Sequence, residues 1–380
     1  MRHDPLNSVG SVLHSENSRP EADDVVKQIG PDHFQNWRQA SKARENIESG
    51  KAYYNDPSPV PPAQKHIPSS LLQCHRKLFY RKENAPAEEA LPEGILWQGT
   101  RFEEDIVLPY LQESVSDEGL FAANSVYVDF EVTTENVALQ VSGSTDPVIV
   151  DRDGVPILPT EIKTKKSVEH LTEPNEHHKA QLHAYLVGLS KKYETNLSRG
   201  VLIYGSRESL DIEIFNVEFD QAFWEQIVVE WAAKHTEYRL SSKLPPAEPR
   251  FGWECNFCAY QHRCGNSEKP FSDLSVHGFV PQTEYPKEQV VDYLEAHSEA
   301  KLTPTLAVAY PILAEAYGTT EWKCTACGEQ YPFDEVDWEG HLNEPPFCRK
   351  CGQQKGIRAP LTGSVQSQES AKKAEEGDAE

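Results

Sequence analysis

The chain has 380 residues, which at about 150 residues per domain suggests two to three domains. Its 60 acidic and 37 basic residues give a formal net charge of −23, which excludes a protein that coats DNA through a basic surface. No stretch approaches the roughly 18 consecutive apolar residues of a spanning helix. The polar start, Met1 to Gly10, has no apolar run behind it, so neither a membrane span nor a secretory leader is expected, and the cytoplasmic compartment is.

Residues 1–66 carry nine acids and eight bases and are expected to be a mobile N-terminal region. Within them a helix is predicted from Asp32 to Gly50, and Pro57, Pro59, Pro61 and Pro62 mark an extended linker. From Ile67 the pattern tightens. Ser69 or Ser70 is the expected cap of a helix containing Leu72, Cys74, Leu78 and Tyr80. A second helix is predicted from Trp97, with Phe102, Ile106 and Tyr110 at helical spacing and Pro109 ending or bending it. Strands follow, with Val126, Val128, Phe130 and Val132 alternating, then Val137, Leu139 and Val141. The runs Pro147–Val150 and Ile157–Lys163 flank Asp153-Gly154, a strong turn dipeptide.

A helix is predicted over Glu176–Leu189, strands over Val201–Tyr204 and Ile212–Phe219, and a helix over Phe223–Leu240. This order predicts an α/β fold, a mixed sheet flanked by helices. Two more helices, Lys287–His297 and Thr305–Tyr317, precede a cysteine-bearing segment, and the end from about Leu361 reads as disordered. There is no internal repeat. No G-x-x-x-x-G-K-[ST] loop occurs, so the chain is not itself a P-loop ATPase or helicase.

The chemistry concentrates in 143–166. Gly143-Ser144-Thr145-Asp146 is read as opening a strand, and Thr160-Glu161-Ile162-Lys163 as closing the next. Residues two apart on a strand share a face, so Glu161 and Lys163 project together. Pairing through the Asp153-Gly154 turn brings Asp146 opposite Glu161. Two carboxylates and a lysine suit Mg²⁺ or Mn²⁺ on a phosphodiester, although Asp, Glu and Lys also collect on solvent faces by chance. Gln181 and Tyr185, four apart on the next helix, share a face. His177 and His178 beside them read as solvated or structural.

Cysteines at close spacing in a reducing compartment more often bind metal than form disulfides. Cys324, Cys327, Cys348 and Cys351 form C-x2-C-x20-C-x2-C, the spacing of a zinc ribbon with four thiolate ligands. Gly328 and Gly352 suit the knuckle turns. Arg349, Lys350 and Lys355 permit nucleic-acid contact. Cys255, Cys258 and Cys264 form C-x2-C-x5-C, with Cys74 alone upstream.

Asp146, Glu161-Ile162-Lys163 and Gln181-x-x-x-Tyr185 together resemble the PD-(D/E)XK nuclease superfamily, in its RecB-like branch. A cysteine before that core and C-x2-C-x5-C after it resemble the iron–sulfur exonucleases of the branch, most of all the CRISPR-associated RecB-like exonuclease family. The resemblance spans about Ile67 to Gly265. It implies a restriction-endonuclease-like core and a [4Fe–4S] cluster on Cys74, Cys255, Cys258 and Cys264, with zinc on the same residues as the alternative. It also implies Mg or Mn held by Asp146, Glu161 and the Ile162 carbonyl, with Lys163 assisting the water and Gln181 and Tyr185 positioning Lys163 and the phosphate. The family commonly places a histidine in its first core helix. Here Gly99-Thr100-Arg101-Phe102 is followed by Glu103, the expected replacement ligand, and then Glu104, the next candidate.

The expected organisation is therefore 1–66 N-terminal region, 67–266 nuclease domain with its iron–sulfur staple, 267–320 helical connector, 321–356 zinc ribbon and 357–380 tail. The implied activity is metal-dependent exonucleolytic cleavage of single-stranded DNA ends, in CRISPR spacer acquisition beside the integration proteins. Two alternatives stand beside it: a non-catalytic DNA-binding or adaptor subunit with a degenerate site, and a repair nuclease working beside a separate helicase. Residues 101–160 hold two bases and twelve acids, whereas 161–200 hold seven bases and five acids. DNA binding is thus expected to depend on divalent metal.

Overall fold

The computed structural model describes residues 22–23, 26, 29–48, 60–88, 93–116, 119–267, 277–297, 299–341 and 344–364. They fall into two units, Met1–Asp56 and Pro57–Glu380. The first contains helix α1 (Pro31–Glu48), close to the predicted span. Most of the expected mobile segment, much of the proline linker and the end of the tail lie outside the described residues.

In the second unit the chain is already packed at the end of the linker. Arg239 donates to the carbonyls of Pro61 (2.7 Å) and Pro62 (3.0 Å), and strand β1 is Lys65–His66. Residues 61–66, expected in the N-terminal region, thus pack within the second unit. The single helix expected from Ser69 or Ser70 is instead a 3-10 turn, Pro68–Ser70, followed by α2 (His75–Lys82). Leu72 interrupts it with φ +63°. Leu71 and Leu72 are both buried, and continuous helix would point them in different directions. Cys74 caps α2 instead of lying inside it.

Helix α3 (Glu93–Phe102) leads through a π-helical turn, Glu103–Val107, into α4 (Leu108–Val115). Pro109 does not end this helix. It sits just past the π turn, where the ordinary i→i−4 ladder is already interrupted, so its missing N–H and its ring are accommodated without a break. Of the predicted apolar face only Phe102 is buried; Trp97, Ile106 and Tyr110 are exposed.

Alternation then builds two sheets. The edge strand β2 (Phe121–Ala123) precedes β3 (Tyr127–Thr133) and β4 (Ala138–Ser144), which pair antiparallel with Val128, Phe130, Leu139 and Val141 buried. β1 joins β4 in parallel. Gly143-Ser144 therefore close β4; they do not open a new strand. Thr145 and Asp146 form the link to β5 (Val148–Val150). β5 pairs antiparallel with β6 (Pro156–Lys165) across the predicted turn, in which Gly154 has φ +77°. Helix α5 (Glu176–Tyr193) crosses over to β7 (Arg199–Ser206), parallel to β6, and β8 (Ile212–Glu218) closes the five-stranded order β2-β5-β6-β7-β8. A parallel neighbour requires such a crossover.

Helix α5 is buried around most of its circumference, as a helix between two sheets must be. Leu186 and Leu189 join the main core with Leu72, Val128, Phe130 and Trp231, while Leu182 packs with Leu202 and Tyr204. Phe102 rests on the other side of the sheet with Ile162 and Ile203. A Cβ on Gly205 would lie 2.1 Å from the Phe102 ring, so only glycine allows α3 to dock here.

The helix expected over 223–240 begins at Gln221–Phe223, passes a π turn, Trp224–Val229, and continues as α6 (Glu230–Leu240). Beyond the cysteines, α7 (Lys287–Ala296), α8 (Pro304–Ala309) and α9 (Pro311–Tyr317) surround a second core containing Phe279, Tyr285 and Leu294. Pro311 splits the helix predicted over 305–317, because it cannot continue the hydrogen-bond ladder. The last module pairs β9 (Trp322–Cys324) with β10 (Gln330–Tyr331). It adds α10 (Arg349–Lys355) and returns β11 (Leu361–Gly363) to the other edge of β9. Residues 357–364, expected in the tail, thus close the ribbon. Among the described residues no helix is long and apolar enough to cross a membrane.

Candidate active site and metal centres

Asp146 sits between the two sheets' strands, and its Oδ2 accepts the Ile162 N–H at 2.6 Å. That single bond fixes it beside the Glu161–Lys163 face of β6. Lys163 forms an ion pair with Glu161 Oε1. Glu161 is fully buried, and its Oε2 has no hydrogen-bond partner. A buried carboxylate oxygen without a partner is costly, so its retention here calls for a ligand.

The electrostatics point the same way. Burial, reinforced by Asp146 and Glu103 and opposed by Lys163, pushes Glu161 up to about 8. Burial and then Asp146 push Glu103 up to about 7. Asp146 is also raised by burial, against the pull of Lys163 and the Ile162 amide. Burial works against the charge on Lys163, but Glu161, Asp146 and Glu103 outweigh it and raise its pKa. A cluster of this kind retains a proton near neutrality, which a divalent cation would displace. The donor set, all oxygen, suits Mg²⁺ or Mn²⁺. In this arrangement the three carboxylates do not converge within 4.8 Å of one another, because Glu161 is turned to Lys163 and Asp146 to the Ile162 amide.

Glu103 stands on the π turn, directly after the Phe102 anchor, half-buried and close enough to Asp146 and Lys163 to feel both charges. Glu104 pairs instead with Arg101 at 3.3 Å on the exposed side. The Ile162 side chain packs away from the site, against Phe102 and Ile203.

Gln181 and Tyr185 bond to each other and, through Tyr185, to the backbone. Gln181 Nε2 donates to the Tyr185 hydroxyl at 2.9 Å, and that hydroxyl donates to the Ser144 carbonyl at 2.9 Å. Among the described residues neither side chain is hydrogen-bonded to Lys163. Both are buried, and they brace the backbone two residues before Asp146. His178, buried as a structural residue, bonds Tyr204 OH at 2.8 Å through Nδ1.

The two cysteine sets are arranged differently. Cys324 and Cys351 sulfurs are 3.8 Å apart, as are those of Cys327 and Cys348, and all four lie within 4.8 Å of one another. A tetrahedron with zinc–sulfur bonds of about 2.3 Å has edges of about 3.8 Å. Backbone N–H groups of Ala326 and Cys351 donate to the Cys324 and Cys348 sulfurs at 3.4 Å. The ribbon cysteines therefore fit one tetrahedral metal ion.

Cys74, Cys255, Cys258 and Cys264 line a single cleft with Arg76, Lys77 and Tyr80. Cys74 reaches it from the start of α2, and the others from the 3-10 turn Gly252–Phe257 and the loop after it. Their sulfurs do not close to the spacing of the ribbon set. Thiolates that each hold a different iron of a cluster stand further apart than four sharing one ion. Burial pushes the Cys258 thiol up to about 12 and also raises Cys74 and Cys264; a positive metal centre would reverse that by stabilising the thiolates.

Two supporting residues carry no sequence signal. Glu254 Oε1 accepts the Cys74 N–H at 3.1 Å across 180 residues. Glu88 accepts the N–H groups of His262 (2.7 Å) and Arg263 (2.6 Å), fixing the loop that presents Cys264. Both are long-range contacts that no local spacing announces.

The family model of the PD-(D/E)XK nuclease superfamily matches residues 50–265, more than half of the chain. The CRISPR-associated exonuclease Cas4 of Saccharolobus solfataricus is 27% identical over 199 residues, covering 52% of this chain and 85% of that protein. Among solved structures, SSO0001 aligns with TM-score 0.37 and 22% identity over 60% of this chain and 93% of that one.

Proposed function

Because the chain belongs to the PD-(D/E)XK nuclease superfamily, we propose that it is a Mg- or Mn-dependent deoxyribonuclease that removes nucleotides from single-stranded DNA ends. The observation that carries this reading is the fully buried Glu161, with one oxygen paired to Lys163 and the other unpartnered, beside Asp146. The name of the 27% identical relative, a CRISPR-associated exonuclease, supports the exonucleolytic mode and a CRISPR role; integration proteins as partners and a cytosolic location are carried by the proposal alone.

Glu103, Asp146, Glu161 and the Ile162 carbonyl hold the metal. When bound, it supplies Lewis-acid polarisation of the phosphodiester and a more acidic water at neutral pH. Lys163 keeps its proton, orients the attacking water and stabilises charge developing on the phosphate. Gln181 and Tyr185 act at one remove, fixing the Ser144 carbonyl and so the approach of Asp146. Cys74, Cys255, Cys258 and Cys264 hold a [4Fe–4S] cluster that ties α2 to the segment after α6, and the ribbon cysteines hold zinc.

The test is cleavage of end-labelled single strands with Mn²⁺. The wild type produces mononucleotides or short products, and Lys163→Ala, still folded by circular dichroism, loses about a hundred- to a thousandfold in rate. Full activity in that variant would overturn the assignment. Metal analysis of anaerobically purified protein should give iron, sulfide and one zinc; zinc alone would remove the cluster.

A further inference from the structure

Helix α5 presents His177, Gln181 and Tyr185 at successive four-residue intervals, hence on one face. Tyr185 and Gln181 belong to the carboxylate site. His177 is the next step toward the helix start, and there it meets two aromatic rings from the segment after α6. Its ring centroid lies 5.3 Å from that of Trp253 and 5.6 Å from that of Phe251. Phe251 and Trp253 are themselves nearly parallel, 16° apart at 6.0 Å. Trp253 is 47% exposed, and the three rings border a surface cleft with Asn175 and Lys179.

This aromatic group is fastened in place. Arg250 makes two bonds to Glu176, at 2.6 and 3.2 Å, joining the segment to the first turn of α5. That pairing also neutralises one acid at the cleft, leaving Glu173 as the exposed one. Lys165 approaches from β6, with its Nζ 3.3 Å from Asn175 Oδ1. The charges of Lys163, Lys165 and Lys77 all reach His177, and its ring, held mainly by burial near 4, is uncharged at neutral pH. Around His177, Lys163, Lys165 and Lys77 act against Glu176, although the whole chain carries −23.

The half-exposed indole of Trp253 is thus held against His177, one turn of α5 before Gln181. We propose that Trp253, backed by Phe251 and His177, is a stacking platform for an unpaired base of the strand whose phosphate lies at Glu161 and Lys163. This rests on the nuclease reading and deepens it by supplying the strand selectivity. Bases in a duplex have their faces covered, whereas unpaired bases offer both, and stacking on an aromatic side chain is tolerant of sequence. In a chain of net charge −23, stacking adds affinity that does not depend on neutralising phosphates.

The experiment measures binding of fluorescent, phosphorothioate-linked oligo-dT to the full-length, metal-loaded protein. Trp253→Ala should weaken binding about 5- to 150-fold, and Trp253→Phe should restore most of it. Trp253 lies two residues before Cys255, so iron content is measured on each variant. A second arm needs no variant: a strand with an abasic site scanned along its terminal nucleotides should bind the wild type more weakly at one position. Trp253→Ala should show no such position. A wild type indifferent to every abasic site, or an equal loss on duplex and single strand in Trp253→Ala, would overturn the platform. A wild type that binds in this position-dependent way but never cuts would overturn the nuclease reading and leave the platform standing.

Discussion

The core and the C-terminal ribbon each hold potential metal ligands in place, and they do so by opposite means. In the core, Glu103 comes from a π turn, Asp146 from a link between strands, and Glu161 and Lys163 from β6. All are positioned by packing, with Phe102 on Gly205 and Tyr185 on Ser144 as the anchors. In the ribbon the four ligands come from 28 consecutive residues, and the buried cluster around them is Trp322, Cys324, Cys348, Cys351, Ala359 and Leu361. Half of that cluster is cysteine. The core has an extended apolar interior apart from its ligands, whereas the ribbon's interior is largely its own ligand set. A module this small does not bury enough apolar surface to fold alone, so a metal held by its four cysteines would share one equilibrium with its structure.

The largest expected effect breaks the two apart. Chelation of the proposed zinc should remove on the order of 10 kcal/mol or more from the ribbon and unfold it while the core persists. Hydrogen exchange reads this directly. Amides of β9 and β11 lose protection after zinc is removed, and those of β6, β7 and α5 keep theirs. Protected β9 amides in protein shown to be free of zinc would contradict the contrast.

The same difference governs what the sequence made legible. The ribbon ligands are read from C-x2-C-x20-C-x2-C because the pattern is local. Even there β11 was missed, since it pairs across 37 residues through a three-residue strand with no turn signal. In the core, the closeness of Asp146, Glu161 and Lys163 follows from strand alternation and one turn dipeptide. The elements bent by burial were not legible. Leu72 at φ +63° ends a helix that propensity would continue, and two π turns carry helices past the points where they were expected to stop or start. The bond from Tyr185 to Ser144 spans 41 residues, and the aromatic group at Trp253 draws on α5 and a loop 76 residues away.

A smaller effect tests whether packing alone sets the carboxylate geometry. A Cβ on Gly205 would meet the Phe102 ring at 2.1 Å, so Gly205→Ala must push α3 off the sheet, at about 1–3 kcal/mol for such overpacking. Glu103 follows Phe102 directly and moves with it. The variant should remain folded and lose about tenfold or more in cleavage, with weaker Mn²⁺ dependence. A paired Phe102→Leu change, which vacates ring volume, should recover part of the loss. Unaltered cleavage in Gly205→Ala would show that Glu103 contributes nothing to the site.

The smallest effect concerns a buried group that belongs to the core alone. His235 is fully buried, stacked on Trp231 at 5.6 Å, with neither ring nitrogen hydrogen-bonded. Burial first, then His66, His75, Lys82 and Arg239, hold it down to about 2. In the unfolded chain the ring takes a proton near about 6.5. Between these values the unfolded state binds more protons, so stability falls as pH drops below 6.5 and is unaffected by this group above it. At pH 5.5 the loss from His235 is about 1.4 kcal/mol, the free energy of protonating a group of pKa about 6.5 one unit below it. His235→Phe keeps the stacked ring and removes the titration. Its unfolding free energy should equal or exceed that of the wild type at pH 7.5. Between pH 7.5 and 5.5 it should decline by about 1.4 kcal/mol less. Parallel pH profiles for the two proteins would mean that the buried imidazole is already protonated in the fold, and would require an acceptor for it that the packing of Trp231, His66 and His75 does not supply.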